Sequence, residues 1–144
     1  ATGDIAQDAS EVAYQRFQQH LAQFNTPNYW LQGNHDITQP ILNILNNSMD
    51  AFKEREIENK EINIKVLTKQ FYTILIMEDN AGGVKEESLE KLFDPYYTTK
   101  ATGTGTGLYM VKLVIKNSFQ GDLKINNSEK GLRYIMALPQ KEEI

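Results

Sequence analysis

Phe71 to Met77, F-Y-T-I-L-I-M, is an almost unbroken apolar and β-branched run that stops abruptly at Glu78-Asp79-Asn80-Ala81-Gly82-Gly83. This is the pattern of a strand covered on both faces, so the chain needs a sheet with this strand inside it and another layer packed on top. The sequence around it supplies the partners. Glu61 to Leu67 alternates strictly, with Ile62, Ile64 and Val66 on one face, and Thr68 to Gln70 makes the turn. Gly121 to Ile125 and Leu132 to Leu138 read as two further strands joined by the turn-forming Asn126 to Gly131, with Pro139 ending the last. A turn around Pro27 precedes a short strand, Tyr29 to Gln32.

Helical periods fill the rest. Asp4 to Phe24 reads as a helix with Asp8 and Glu11 placed for a capping box and a stripe of Ala13, Phe17, Leu21 and Phe24; Ala1 to Gly3 reads as a frayed end. Gln39 to Phe52 carries Ile41, Leu42, Leu45, Met49 and Phe52 at helical spacing, with Thr38 as cap, Pro40 in the first turn and a charged extension to Glu58. Glu86 to Phe93 is a short helix, Asp94 to Thr106 a loop rich in Thr and Gly, and Gly107 to Ser118 a helix through Leu108, Val111, Leu113 and Val114. The expected fold is an α/β two-layer sandwich, a mixed or antiparallel sheet with helices on one face. At 144 residues without repeats it divides into a leading helix and linker, 1–28, and one domain, 29–144.

Composition removes several function classes. The chain has no cysteine, which excludes disulfides, zinc–thiolate sites and thiol nucleophiles. Its net charge is −4, with acids and bases scattered, which argues against nucleic acid as a partner. No apolar run approaches the roughly twenty residues that span a bilayer, and no basic-then-apolar leader occurs, so the expectation is a soluble chain without direct membrane contact.

The polar side of the helix from Gln39 is unusual. Asn43, Asn46, Asn47 and Asp50 stand where Glu, Lys and Arg would favour helix, and each asparagine sacrifices some propensity. Asn43, Asn47 and Asp50, at i, i+4 and i+7, line one edge and point into the same space. An amide oxygen there suits magnesium, which is held by one or two protein groups plus waters and substrate phosphates. The plainer alternative is an outer face that happens to be rich in asparagine.

Asp79, at the mouth of the strand, is placed to accept a hydrogen bond from an exocyclic amine such as that of adenine, with Gly82 and Gly83 letting backbone approach the ring. Equally, an aspartate there opens a turn by bonding its own backbone. Gly103-Thr104-Gly105-Thr106-Gly107 runs straight into a helix at Leu108, an arrangement that frees amides to face phosphates; a plain surface loop has the same composition. It is not a Walker loop, since no Gly-Lys-Ser/Thr follows. Between the two glycine sites, the hydroxyls of Tyr97, Thr98 and Thr99 with Lys100 are placed to close over a triphosphate, with Phe93 packing the hinge.

In this order, N-I-L-N-N-S-M-D-A, D-N-A-G-G, L-F-D-P-Y-Y-T-T-K and G-T-G-T-G-L-Y-M resemble the N box, first glycine box, F box with ATP lid, and second glycine box of the superfamily of gyrase, the Hsp90 chaperone, histidine kinases and the mismatch-repair protein MutL. More narrowly, the chain is similar to the catalytic domain of sensor histidine kinases over Gln39 to Leu138. The resemblance implies a Bergerat-type sandwich binding ATP and Mg²⁺, in which Asn47 ligates the ion, Asp79 holds the adenine amine, and Gly103, Gly105 and Gly107 with Leu108 wrap the phosphates.

In hydrolysing members a glutamate four residues before the magnesium asparagine activates water; here that residue is Asn43, and an amide takes no proton at neutral pH. The reading therefore moves from hydrolase to phosphotransfer, with Asn43, Asn47 and Lys100 as the catalytic set. The alternatives are an ATP hydrolase or chaperone-like clamp, and a nucleotide-binding module that transfers nothing. His20 lacks a neighbouring acid. His35-Asp36-Ile37-Thr38-Gln39-Pro40 echoes the family's acceptor motif, H-[DE]-x-x-x-P, but stands too near the N box to reach its own γ-phosphate. The acceptor is expected on a helical hairpin elsewhere in a parent protein, serving a response regulator, in the cytoplasm, with the parent free or anchored in the inner membrane. Two departures stand out. Asn25 to Gly33 is short for the family, so an edge strand is missing or rearranged, which leaves a pairing edge and suggests a homodimer. In addition, G-L-R-Y-I-M stands where the family has a glycine-threonine pair, which puts an adenine-side hydroxyl in question.

Overall fold

The computed structural model describes residues 2–4, 34–95 and 107–139. In chain order the elements are β1 (Thr2–Asp4), α1 (Asn34–Glu54), β2 (Ile62–Thr68), β3 (Tyr72–Asp79), α2 (Glu86–Leu89) continuing into a 3₁₀ turn (Glu90–Phe93), α3 (Gly107–Phe119), β4 (Asp122–Asn127) and β5 (Leu132–Pro139). The leading helix and the strand at Tyr29 expected from the sequence fall outside the described residues, apart from Asp4.

The strands form one sheet in the order β1-β2-β3-β5-β4, antiparallel at every described pairing. Because β3 and β4 both run antiparallel to β5, they are parallel to each other, and the β3-to-β4 connection through α3 leaves room for β5 between them. Thr2 and Gly3, expected in a frayed end, and Asp4, expected to open the leading helix, instead form β1. It pairs with Asn63 to Lys65 of β2 and forms one edge of the described sheet.

Register aligns the inner face into rows. Ile64, Met77, Tyr134 and Ile125 form one; Val66, Leu75, Met136 and Leu123 form the next. Each of these residues is buried, in one cluster with Ile37, Ile41, Ile44, Leu45 and Phe52 of α1 and Val111 and Ile115 of α3. Burying a large aliphatic or aromatic side chain contributes about 1.5–3 kcal/mol, so these rows dominate stability. The other face is not covered in the same way. On β3, Thr73, Leu75, Met77 and Asp79 are buried while Ile74, Ile76 and Glu78 are half-buried, so the strand is fully covered on one face only. The outer isoleucines are shielded sideways: Ile74 pairs with Leu67 and Ala137, and Ile76 with Ile135.

Helix α1 starts earlier than the cap at Thr38 required, which puts Pro40 inside the helix rather than in its first turn. Proline removes one helical hydrogen bond. The added turn buries Ile37, 1% exposed, which offsets that loss. The stripe is also rotated from the one expected: Ile37, Ile41, Ile44, Leu45, Ser48 and Phe52 face the sheet, while Leu42 and Met49 sit at its margins. The helix ends at Glu54, short of the expected extension to Glu58, and the chain turns through Glu56 at φ 52°. Among the described residues no helix is long and apolar enough to cross a membrane.

Candidate functional site

The rotation of α1 brings Ser48 to the tip of β3. Its hydroxyl donates to Asp79 Oδ2 at 2.7 Å, both residues being buried. Asp79 Oδ1 accepts two backbone amides, Ala81 N at 3.1 Å and Leu132 N at 3.1 Å. The first is the turn-opening bond offered as the plain alternative for Asp79. The second crosses to the start of β5 and is possible because residue 131 is glycine: a Cβ there would collide with the Asp79 backbone and carboxylate. Asp79 thus closes its own turn and, through its second oxygen, faces helix α1.

One residue before Ser48, Asn47 is half-buried, and its side chain hydrogen-bonds the Tyr134 hydroxyl on β5. Tyr134 is 2% exposed, and burial first, then the Asp79 charge, push its hydroxyl far above the ordinary tyrosine range, with the Asn47 bond acting the other way. It is therefore a neutral hydroxyl at any physiological pH. Adjacent residues of α1 are tied in this way to two strands, and the amide and the acid meet at one helix–sheet junction. Asn43 is half-buried and its Oδ1 accepts from Gln39 Nε2 at 2.9 Å; Asp50 is exposed on the same edge.

The glycine turn after Asp79 is braced from three sides. Gly82 and Gly83 adopt φ of 95° and 71°, where a side chain is strained. Gly82 N donates to Lys130 O at 2.9 Å, and the Arg55 guanidinium donates to Ala81 O. Asn127 accepts from Val84 N at 2.9 Å, donates to Val84 O at 2.7 Å and donates to Glu86 Oε1 at 3.0 Å. A Cβ on Gly83 would stand 2.5 Å from Asn127 Oδ1. The turn is a rigid ledge fixed to the β4–β5 connection.

On the far side, α3 packs beside α1 and begins at Gly107, whose missing Cβ would meet nothing within 4 Å; Leu108 is half-buried against the core. Phe93 packs on the core as its hinge position suggested, and Lys112 Nζ lies 4.8 Å above its ring, a cation–π contact. Tyr97, Thr98, Thr99, Lys100, Gly103, Thr104, Gly105 and Thr106 lie outside the described residues, as does His20. His35 lies in the first turn of α1.

The family described as histidine kinase-, DNA gyrase B- and HSP90-like ATPases matches residues 33–142. The chain belongs to this family. It is an ATP-binding domain with the Bergerat fold, and it is similar to sensor kinases. A probable C4-dicarboxylate sensor kinase of Halalkalibacterium halodurans is 28% identical over 109 residues, 74% of this chain and 20% of the relative. The signal transduction histidine-protein kinase AtoS of Escherichia coli is 36% identical over 92 residues, 62% of this chain and 14% of the relative. The domain spans about a fifth or less of these relatives. Among solved structures, the catalytic domain of histidine kinase ThkA superposes with a TM-score of 0.65 at 27% identity, covering 75% of this chain and 69% of that one. The mycobacterial sensor histidine kinase MprB, at 17% identity and TM-score 0.63, shares the fold.

Several side chains that build the site went unnoticed in the sequence. Ser48 was hidden by reading the stripe through Met49, although it stands four residues after Ile44 and seven after Ile41, where a core-facing polar residue needs a partner. Gly131 and Tyr134 carried a signal in the departure from a glycine-threonine pair. Asn127 looked like one more turn residue, and nothing local distinguishes it.

Proposed function

We propose that this chain is the catalytic part of a sensor histidine kinase, which binds ATP with Mg²⁺ and passes the γ-phosphate to a histidine on a helical hairpin of its parent protein. The observation that carries this reading is the junction of α1 with β3 and β5, where neighbouring residues of α1 reach the two strands: Ser48 bonds the buried Asp79, and the half-buried Asn47 bonds Tyr134. An ionised carboxylate is acceptor-only, so Asp79 suits the adenine amine and not a carbonyl base.

Asn47 fits the role of a single amide ligand because its bond to Tyr134 sets the orientation of the side chain. Among the described residues no three of His, Asp and Glu gather into a cation site. A magnesium ion carried in on the nucleotide would find one protein oxygen and would supply charge neutralisation on the phosphates. Asn43 and Asp50 line the same edge, Gly83 and its ledge approach the ring, and Gly107 and Leu108 start the phosphate-side helix. Tyr97, Thr98, Thr99, Lys100, Gly103, Thr104, Gly105 and Thr106 complete the proposed contacts from sequence. Asn43 cannot serve as a base toward water, and its oxygen already accepts from Gln39. What the domain contributes is positioning and charge stabilisation, while the acceptor imidazole is the nucleophile. In this reading it works in the cytoplasm and reaches a response regulator through the hairpin.

Labelled ATP supplied to the domain with the parent's hairpin in trans tests this. Label on the hairpin histidine supports transfer; steady phosphate release without the hairpin points to a hydrolase, and binding with neither points to a passive module. Asn47→Ala is expected to abolish the Mg²⁺-dependent part of nucleotide affinity, and an unchanged Mg²⁺ dependence would remove the ion from this position.

A further inference from the structure

Among the described residues Asp79 has a countable set of partners. An ionised carboxylate offers four acceptor positions, two on each oxygen. Those on Oδ1 go to the amides of Ala81 and Leu132, and one on Oδ2 goes to Ser48. The fourth therefore lies on Oδ2, the oxygen that Ser48 holds. The two amides are backbone donors delivered by the turn and by the start of β5, whatever side chains stand there. Ser48 is the one side chain that reaches this carboxylate among the described residues, and at 3% exposure it is out of reach of bulk water. At 2.7 Å its bond falls in the strong range for a hydroxyl on a charged acceptor.

We propose that Ser48 is a positioning residue for base selection, its hydroxyl holding Asp79 Oδ2 so that the remaining acceptor position is aimed at an exocyclic amino group. The proposal rests on reading Asp79 as the adenine acid. Leu132, where the sequence left a hydroxyl in question, contributes only its backbone amide; the hydroxyl at this acid comes from α1. Without it the carboxylate is held through Oδ1 alone, and rotation about its Cβ–Cγ bond carries Oδ2 off its line to the ligand. Because Asn47 and Ser48 are neighbours on α1, the same helix that presents the phosphate-side amide also aims the base-side acid.

The test compares affinities of the whole chain for ATP and for purine riboside triphosphate, which lacks the 6-amino group, both with Mg²⁺, in the wild type, Ser48→Ala and Asp79→Asn. Ser48→Ala is expected to weaken ATP about tenfold and to leave purine riboside triphosphate within about twofold, so that the preference collapses. Thermal unfolding confirms that the variant is folded, as expected for a smaller side chain. A preference that is unchanged or larger overturns the proposal, and so does equal weakening of both nucleotides, which marks a purely structural role. Asp79→Asn separates the two claims. If that variant keeps the wild-type preference, the reading of Asp79 fails and the proposal with it; if it loses the preference while Ser48→Ala keeps it, only the role of Ser48 falls.

Discussion

Replacing Asp79 by asparagine preserves shape and removes charge, and the consequences for folding and binding differ in size. With its carbonyl at the Oδ1 position the new side chain still accepts the amides of Ala81 and Leu132. Its amino group then stands at the Oδ2 position, and the Ser48 hydroxyl turns round to accept from it. Charge-assisted bonds are roughly twice as strong as neutral ones, so three such bonds together lose about 1.5–3 kcal/mol. A carboxylate at 5% exposure no longer has to be desolvated, which offsets part of the loss. Stability should change by less than about 2 kcal/mol. Binding has no such compensation, because the adenine amine meets a donor where it needs an acceptor. The lost charged bond and the stranded donor together cost about 3–4 kcal/mol, or two to three orders of magnitude in Kd. Calorimetric titration with ATP, alongside urea unfolding, measures both quantities. A folded variant that binds ATP within about threefold of the wild type would refute the reasoning.

Other expectations follow from the bracing of the site. Asn127→Ala strands the N–H and C=O of Val84 and should cost about 2 kcal/mol in urea unfolding, with faster hydrogen exchange at Val84 than elsewhere on the sheet. Tyr134→Phe tests a pH dependence. The unfolded tyrosine releases its proton near pH 10 whereas the buried one keeps it, so this group's stabilisation is intact below about pH 10 and falls above it, by up to about 1.4 kcal/mol per pH unit. The variant should be about 1 kcal/mol less stable at pH 7, from the lost bond to Asn47, and should show a shallower alkaline decline in unfolding free energy. Gly107→Ala meets no atom of the described residues and needs no special backbone, so its thermal midpoint should stay within about 2 °C of the wild type; any fall in nucleotide affinity then belongs to the ligand and not to the fold.

Legibility in the sequence followed the range of the interactions. The five-residue alternation in β2, the helical segments α1 and α3 and the turn between β4 and β5 rest on local patterns, and all four appear close to where they were expected, although in α3 the fully buried residues are Val111 and Ile115. The boxes were legible because their order along the chain is itself a signal. The rotation of α1 was not legible. Leu42 and Met49 are as apolar as Ile37 and Ile44, and only the shape of the sheet beneath selects which are buried. Nor was the one-sided cover of β3: an isoleucine shielded by cross-strand neighbours and one shielded by a helix are the same letter.

By itself the sequence determined the alternation of strands and helices, the positive-φ turn at Gly82-Gly83 and the placing of an acid directly before it, because each depends on residues within a few positions. Tertiary structure alone decided which side chains meet that acid. Ser48 lies 31 residues from Asp79 and Leu132 lies 53 residues beyond it, and their bonds exist because strand register and helix rotation bring them together. Periodicity names the face on which a residue lies, whereas a hydrogen bond needs a direction and a distance, and those come only from packing.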